Sequence, residues 1–238
     1  MGFSVKYTFI LLFLYGIAQP LQGQEKVELD ALFDYSSTIL GTSSFLVNGW
    51  KYYPDHFNAA GNPYFNDTAW RKGSLSSGKD TFENVFLLYN VQMDELVLSV
   101  TLNDGSPAFV MLNKDFISSF SIGNHQFVNG ETFISTPQLT GFIEMIYSGK
   151  FHFFIKHKKN FVGNFSADTP NGSFSRQSSV MYLLMDETLN KITSKKSLFV
   201  LFPEHKKEMN HFISQHNIRF KTAGNSQLEQ LLEYCNGL

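Results

Sequence analysis

The chain is poor in cysteine, because Cys235 is the only one among its 238 residues. An intramolecular disulfide therefore cannot form, although an exporting compartment normally permits one. We expect the stability of the fold to come from core packing instead. Cys235 lies on an apolar helical stripe near the end of the chain, which favours a packed thiol over a reactive or intermolecular one.

The chain also lacks a charge excess and the common catalytic signatures. Its formal net charge is −2, whereas a nucleic-acid surface usually needs a basic excess. It contains neither the His and Cys spacing of a zinc site nor a glycine-rich nucleotide motif. Residues 76–79 match the S-x-x-K spacing of penicillin-recognising enzymes, but the companion motifs are missing. We therefore expect no cofactor, no metal and no nucleic-acid partner.

Carboxylates are the remaining candidates for chemistry. Five of them are scattered over predicted turns and strands: Asp94, Glu95, Asp104, Asp115 and Glu144. Two could converge on folding as the general acid and base of a hydrolase. Most such residues are solvated turn formers, so the acidic pair stays an alternative.

The start of the chain has the pattern of a secretory signal peptide. Lys6 supplies one positive charge, an uncharged run rich in Phe, Leu and Ile covers 7–18, and Pro20 breaks any helix. The run is short for a bilayer span, which needs about 20 residues. We expect removal of 1–23, with earlier cleavage or a retained signal anchor as alternatives. The product, 24–238, would be secreted to the periplasm or the outside and has no second run long enough to cross a membrane.

Aromatic and β-branched residues separated by turn formers predict one mainly β domain over 24–238. From about Phe82 the pattern is an antiparallel β-meander, which we expect to form a curved sheet, a sandwich or a partial barrel. Asn48-Gly49 between two apolar arms predicts a further hairpin over 45–53. The Gly- and Ser-rich segment 161–179 predicts a loop.

The period of the apolar residues changes near the C-terminus. The segment from about 194 to 238 predicts two or three short helices packed on the sheet, because apolar residues recur there at helical spacing. Ser194 predicts the cap of the first helix, and Ser226 with Glu229 predicts a capping box for the last.

The stretch GNPYFNDTAWRKG (61–73) concentrates aromatic residues among turn formers. Five aromatic residues lie in it or shortly before it: Tyr52, Tyr53, Tyr64, Phe65 and Trp70. They could form a binding loop that stacks on sugar rings or grips a peptide. They could also form a structural corner that closes the β-core, since buried aromatic rings dominate core energetics. We favour the corner.

Several segments occur in a familiar order. They are NGWKYYP, GNPYF followed by AWRKGSL, YNVQMDELVL, GFIEMIYSGKF, and SLFVLFPEHKKEMNHFISQHNIRF before the last helix. In this order the chain resembles a family of exported, functionally uncharacterised proteins of Bacteroidetes-type bacteria, from about Asn48 to the C-terminus. The resemblance implies export and a β-rich fold, and it implies no reaction and no catalytic residues.

These features together favour a non-enzymatic protein of the bacterial envelope or periplasm, an interaction or structural module that binds an unidentified envelope protein. The alternative is a carrier of a small apolar ligand or lipid, because a curved sheet rich in Phe and Leu can enclose an apolar cavity. A filled core would support the first hypothesis and a hollow core the second. The sequence sets neither the oligomeric state nor the side of the outer membrane.

Overall fold

The structure is a computed structural model, and it describes residues 47–101, 105–220 and 222–238. The predicted signal peptide, 1–23, lies outside the described residues, and so does Asp104. Among the helices of the described residues, none combines the length and the apolar character that crossing a membrane requires.

Strands make up most of the regular structure. They are β1 (Val47–Lys51), β2 (Arg71–Ser77), β3 (Asp80–Asn90), β4 (Glu95–Thr101), β5 (Pro107–Leu112), β6 (Ser119–Ile122), β7 (His125–Asn129), β8 (Phe142–Ser148), β9 (His152–Lys158), β10 (Phe161–Val162), β11 (Ser173–Phe174), β12 (Ser178–Met185) and β13 (Thr188–Ile192). Three α-helices follow: α1 (Lys195–Val200), α2 (Lys206–Gln215) and α3 (Asn225–Gly237).

Eleven strands form one antiparallel sheet in the order β1-β5-β4-β3-β2-β6-β7-β8-β9-β12-β13. Most neighbours in this order are consecutive along the chain, as in a meander. The exceptions are the pairs β1 with β5, β2 with β6 and β9 with β12. Within the described residues the sheet is open, with β1 and β13 at its edges, and β10 and β11 form a separate pair. The predicted mainly β, antiparallel fold with C-terminal helices is confirmed.

Tight turns reverse the chain between neighbouring strands. Gly123, between β6 and β7, has a φ of 57°, and Asp186 and Glu187, between β12 and β13, have φ values of 47° and 61°. These left-handed values are typical of two-residue hairpin turns.

The predicted hairpin over 45–53 is wrong. The chain runs through Asn48-Gly49 as the single strand β1, which pairs with β5 and shifts register between Val47 and Lys51. The tertiary pairing overrides the local turn preference, because an irregularity in register can absorb a glycine within a strand.

The helical C-terminus is confirmed, with one change at a cap. The Ser194 hydroxyl accepts a hydrogen bond from the Ser197 amide at 3.3 Å and caps α1 as predicted. The capping box at Ser226 is wrong, because α3 already begins at Asn225 with Gly224 as its N-cap. The Asn225 side chain instead hydrogen-bonds to the sheet.

One face of the sheet, here called the inner face, carries two apolar cores side by side. The ring core lies on the first part of the sheet and includes Phe65, Tyr89, Phe120, Phe127 and Phe142. The helix-covered core lies on the last strands and the helices, and it includes Phe153, Leu183, Leu198, Met209 and Leu231. Both cores meet at β8, and the polar residues described next lie there.

Candidate functional site

Four polar side chains meet on the inner face between the two cores. On β8, Glu144 follows Phe142 of the ring core by two residues and so points to the same face. His125 on β7 and His157 on β9 lie on the strands that flank β8. Asn225 reaches them from the first turn of α3. We call His125, Glu144, His157 and Asn225 the seam cluster.

Glu144 is the acceptor at the centre of the seam cluster, and only 1% of it is exposed. Its Oε2 accepts a hydrogen bond from His157 Nε2 at 2.7 Å. Its Oε1 accepts from His125 Nδ1 and, at 2.5 Å, from Asn225 Nδ2. A buried carboxylate is costly unless donors surround it, and three donors do so here. Glu144 thereby links three strands to the last helix.

The neighbours of His157 fix the position of its proton. His157 Nδ1 lies 2.9 Å from Ser179 Oγ and 3.2 Å from Gln177 Nε2. Gln177 Oε1 already accepts a hydrogen bond from the backbone amide of Asn66 at 3.0 Å. The Nε2 group of Gln177 therefore faces His157 as a donor. In the neutral form of His157, Nδ1 is therefore the acceptor and Nε2 carries the proton, toward Glu144.

Two opposing effects set the pKa of Glu144. Burial raises it, because desolvation disfavours the charged form. The hydrogen bonds and charge interaction with His157, followed by the hydrogen bonds from His125 and Asn225, outweigh burial and hold the pKa below its usual range. Glu144 is therefore ionised at neutral pH.

Phe65 covers the seam cluster. Its ring meets His125 edge-on at 4.8 Å and His157 at 4.9 Å between centroids, and it also meets Phe127 at 5.0 Å. The His125 side chain keeps 32% of its surface exposed, whereas His157 keeps 8%. Solvent therefore reaches the cluster from the side of His125.

The seam cluster contains a carboxylate–imidazole dyad, the pair of groups that general acid–base catalysis uses. Glu144 orients His125 through Nδ1, which leaves Nε2 as the nitrogen that can exchange a proton with solvent. In the part of the chain that the structure describes, no nucleophilic side chain is hydrogen-bonded to that nitrogen, and no group of three or more acidic, His or Cys side chains could hold a metal ion. Every hydrogen bond of Glu144 goes to another element of the same fold.

The structure separates the five aromatic residues of the predicted binding loop or corner. Tyr52 and Tyr64 are buried together with their hydroxyl oxygens 3.2 Å apart. Trp70 packs against the apolar cluster that includes this pair and stacks on Phe109 at 4.8 Å between ring centroids. Phe65 belongs to the ring core instead, and Tyr53 is 70% exposed. Of the five, Tyr53 alone is presented to solvent.

The Tyr52 and Tyr64 hydroxyls form a small internal network with Asn90. The Asn90 amide group donates to Tyr52 Oη at 3.4 Å, and its oxygen accepts from the backbone amides of Gln92 and Met93. Burial, followed by the hydrogen bond with Tyr64, raises the pKa of Tyr52 well above its ordinary value. The Tyr52 hydroxyl therefore stays protonated, and the side chain contributes to the packing of the core.

Lys159 fixes the beginning of the 61–73 stretch. Its buried ammonium donates to the Asn62 carbonyl at 3.0 Å and to Asn62 Oδ1 at 2.9 Å. The same Asn62 Oδ1 accepts from the Tyr64 amide at 3.0 Å. Burial lowers the pKa of Lys159. These bonds hold the stretch against the end of β9.

Asp94, a predicted candidate for chemistry, has structural partners. Its carboxylate accepts from the Tyr89 hydroxyl at 2.7 Å and from the Phe142 amide at 3.2 Å. A Cβ at Gly141, where φ is 76°, would lie 1.8 Å from Asp94 Oδ2, so this close approach requires glycine. Asp94 thus ties the β3–β4 turn to the start of β8.

The other predicted carboxylates do not join Glu144. Asp115 is exposed in a short 3-10 turn. Burial, followed by the charge of Asp55, raises the pKa of Glu95. The side-chain partners of Glu144 in the described part of the chain are His125, His157 and Asn225, so no second carboxylate pairs with it there.

The seam cluster could not be identified from the sequence. One clue is available, because Glu144 lies in the apolar strand GFIEMIY, where a charged residue needs partners. The sequence does not name those partners, since Asn225 lies at the other end of the chain. His157 comes five residues after His152 on β9 and so lies on the opposite face of the strand, where the structure places it beside Glu144.

No protein-family model, curated protein or solved structure matches this chain. The resemblance to exported Bacteroidetes-type proteins therefore stays a prediction based on its sequence segments.

Proposed function

We propose that the chain is an exported, non-enzymatic protein of the bacterial envelope or periplasm that acts as an interaction or structural module. The packing of the inner face is the observation that supports this most. The rings of Tyr89, Phe120, Phe127 and Phe142 contact one another at centroid distances from 4.8 to 6.0 Å. Side chains thus occupy the space in which a β-rich carrier would hold its ligand, so a partner meets this protein at its surface.

One surface depression supports a second candidate function, the binding of a small apolar ligand. It has a volume of about 360 Å³ at the edge of the helix-covered core. Its lining combines the apolar residues Phe151, Met185, Leu201, Phe202, Pro203, Cys235 and Leu238 with Lys150, Asp186, Glu204 and His205. Small-molecule sites are typically concave, largely apolar and of about this size or larger. A lipid carrier would use this depression.

Native mass spectrometry of the exported and processed chain, 24–238, distinguishes the two candidates. We expect a clean protein mass, because the inner face is filled. A stoichiometric lipid-sized adduct that is lost on denaturation would overturn the interaction module and favour the carrier. Leu201→Trp would then abolish the adduct by filling the depression, whereas Val200→Trp, an exposed change at the preceding residue, would leave it intact.

A further inference from the structure

Ser179 on β12 extends the hydrogen bonds of the seam cluster to the protein surface. It is exposed and lies directly opposite His157 of β9 in the antiparallel register. Ser179 Oγ is 2.9 Å from His157 Nδ1, and His157 Nε2 is 2.7 Å from Glu144 Oε2. A hydroxyl, an imidazole and a carboxylate thus form one hydrogen-bonded chain. This is the order of groups that activates a serine as a nucleophile.

The three groups differ in exposure in the way that this chemistry needs. The Glu144 side chain is 1% exposed and the His157 side chain 8%, whereas Ser179 is open to solvent. The negative charge of Glu144 therefore acts on the imidazole with little screening by water. The ring of Phe65 packs beside His157 at 4.9 Å between centroids. Only the hydroxyl end of the chain meets solutes.

His157 can accept the proton of the Ser179 hydroxyl. In the neutral ring Nδ1 is the acceptor, and Nε2 donates to Glu144. Gln177 Nε2 also donates to Nδ1, at 3.2 Å, but it has a second acceptor in Asn66 Oδ1 at 3.5 Å. Gln177 can therefore release Nδ1 when the ring takes up a proton, and Glu144 then stabilises the imidazolium.

The backbone beside Ser179 supplies a donor for the negative charge that develops on an attacked carbonyl oxygen. Residue pairs in an antiparallel ladder alternate between hydrogen-bonded and non-hydrogen-bonded, and Met185 with Thr188, at the two-residue turn, is a hydrogen-bonded pair. This alternation directs the Ser179 amide away from β9, toward the side of β13. Because β13 ends opposite Met181, the amide has no strand partner in the described sheet. It can donate to an oxygen held next to Ser179 Oγ.

A second serine–histidine pair in the same sheet lacks the carboxylate. Ser148 Oγ on β8 is 3.0 Å from His152 Nδ1 on β9, and Ser148 is exposed like Ser179. Among the described residues, Ser148 is the only hydrogen-bond partner of His152. Nothing there stabilises the charge that the His152 ring would gain. Ser148 is therefore the internal reference for Ser179.

We infer that Ser179 is a covalent modification site, a nucleophile that accepts one acyl group from a carboxylic ester. Ser179 Oγ bonds to the carbonyl carbon of the ester, and its proton moves to His157 Nδ1. The bond between that carbon and the alkoxy oxygen then breaks, and the alkoxide takes the proton from His157 and leaves as an alcohol. The product is an acyl ester of Ser179, with no change of oxidation state. The inference goes beyond the proposed function and does not depend on it.

Reaction of the processed chain, 24–238, with p-nitrophenyl acetate tests the inference. Absorbance follows the released p-nitrophenolate, and peptide mapping by mass spectrometry locates the acetyl group. We expect Ser179 to be acetylated about a hundredfold faster than Ser148, which is the size of a general-base contribution. Ser179→Ala should remove this fast reaction. Ser178→Ala, at an exposed hydroxyl that donates to the Lys158 carbonyl at 3.3 Å, is the matched control and should keep it.

A second variant tests the part that His157 plays. His157→Gln keeps a donor for Glu144 and removes the base, so acetylation of Ser179 should fall by about a hundredfold, with circular dichroism used to verify the fold. Equal acetylation of Ser179 and Ser148, or a rate that His157→Gln leaves unchanged, would overturn the inference and leave the interaction module intact. Release of many equivalents of p-nitrophenolate that Ser179→Ala abolishes would support the nucleophile and overturn the non-enzymatic function instead.

Discussion

The two cores of the inner face are covered in different ways. In the ring core, strands supply nearly all of the side chains and a loop residue, Phe65, joins them. In the helix-covered core, three helices bring their own apolar stripes to the last strands. The ring core is thus closed mainly by strand side chains that pack on one another, and the helix-covered core is closed by helices. The seam cluster fills the place where the two covers meet.

This comparison explains why a charged residue lies in the interior. Neither Phe65 nor α3 alone covers the boundary between the two cores. A polar cluster at this boundary can hydrogen-bond both to the neighbouring strands and to the helix. Such a cluster specifies how the elements dock, because its hydrogen bonds are directional. The following predictions test whether the two cores depend on each other.

The largest effect is expected from Phe127→Ala in the ring core. The substitution should lower the free energy of unfolding by about 4 kcal/mol, because a large buried ring is replaced by a cavity. Urea denaturation followed by circular dichroism and by tryptophan fluorescence measures it, with Phe57→Ala, at a ring that is 79% exposed, as the control. Different unfolding transitions by circular dichroism and by tryptophan fluorescence would show that the two cores unfold independently. That result would contradict their coupling through the seam cluster.

Glu144→Gln should lower the free energy of unfolding by about 3 kcal/mol at pH 7, since it removes the charge that three donors surround. The folded-state pKa of Glu144 lies below its unfolded value. Its stabilising contribution is therefore full above the unfolded pKa, about 4.3, and is lost as the pH falls through the folded value. The difference between wild type and variant should shrink over that range. Glu83→Gln, on an exposed part of β3, is the matched control and should change the free energy of unfolding at pH 7 little.

Trp70→Ala should lower the free energy of unfolding by about 2 kcal/mol, through the loss of apolar burial and of the stack on Phe109. Thermal and urea denaturation measure it. Tyr53→Ala, at the exposed aromatic residue of the same group, is the matched control and should have little effect. Unchanged stability in Trp70→Ala would refute the interpretation of the 61–73 stretch as a structural corner.

The smallest effect is expected from Asn225→Ala, which removes one hydrogen-bond donor from Glu144 and should cost about 1 kcal/mol. Hydrogen exchange should show faster opening confined to α3 and β8. Gln227→Ala, two residues further along α3 and exposed, serves as the control. A uniform increase in hydrogen exchange across the ring core would mean that Asn225 stabilises the whole fold and not only the docking of α3 at the seam cluster.

Local patterns predict most of this fold. The alternation in 151–156 and the turn at Ser148–Lys150 give the β8–β9 hairpin, and the helical spacing in 225–238 gives α3. Asn48-Gly49 misleads because its local preference is for a turn, and its actual partner, β5, lies far along the chain. A sequence pattern records such long-range pairing only weakly.

The seam cluster shows a similar limit. Each of its members has an ordinary local role: His125 and His157 lie on strands, and Asn225 begins a helix. Their convergence depends on the order of β7, β8 and β9 and on the docking of α3 against β8. The sequence does place Phe65 in a segment predicted to close the core, but it does not show that histidines lie beneath it.

The strand order has a consequence for how the chain folds. β2 can pair with β3 at once, yet its other neighbour, β6, arrives only after β4 and β5 have been made. β1 needs a longer stretch of chain to follow it before it can pair than β2 needs for β6, because its one partner in the described sheet is β5. Long-range pairings close large loops and are slow to form. We therefore expect the β2–β5 meander to form early and β1 to add afterwards, so a chain entering a compartment N-terminus first would keep Val47–Lys51 unpaired until residue 112 had followed it.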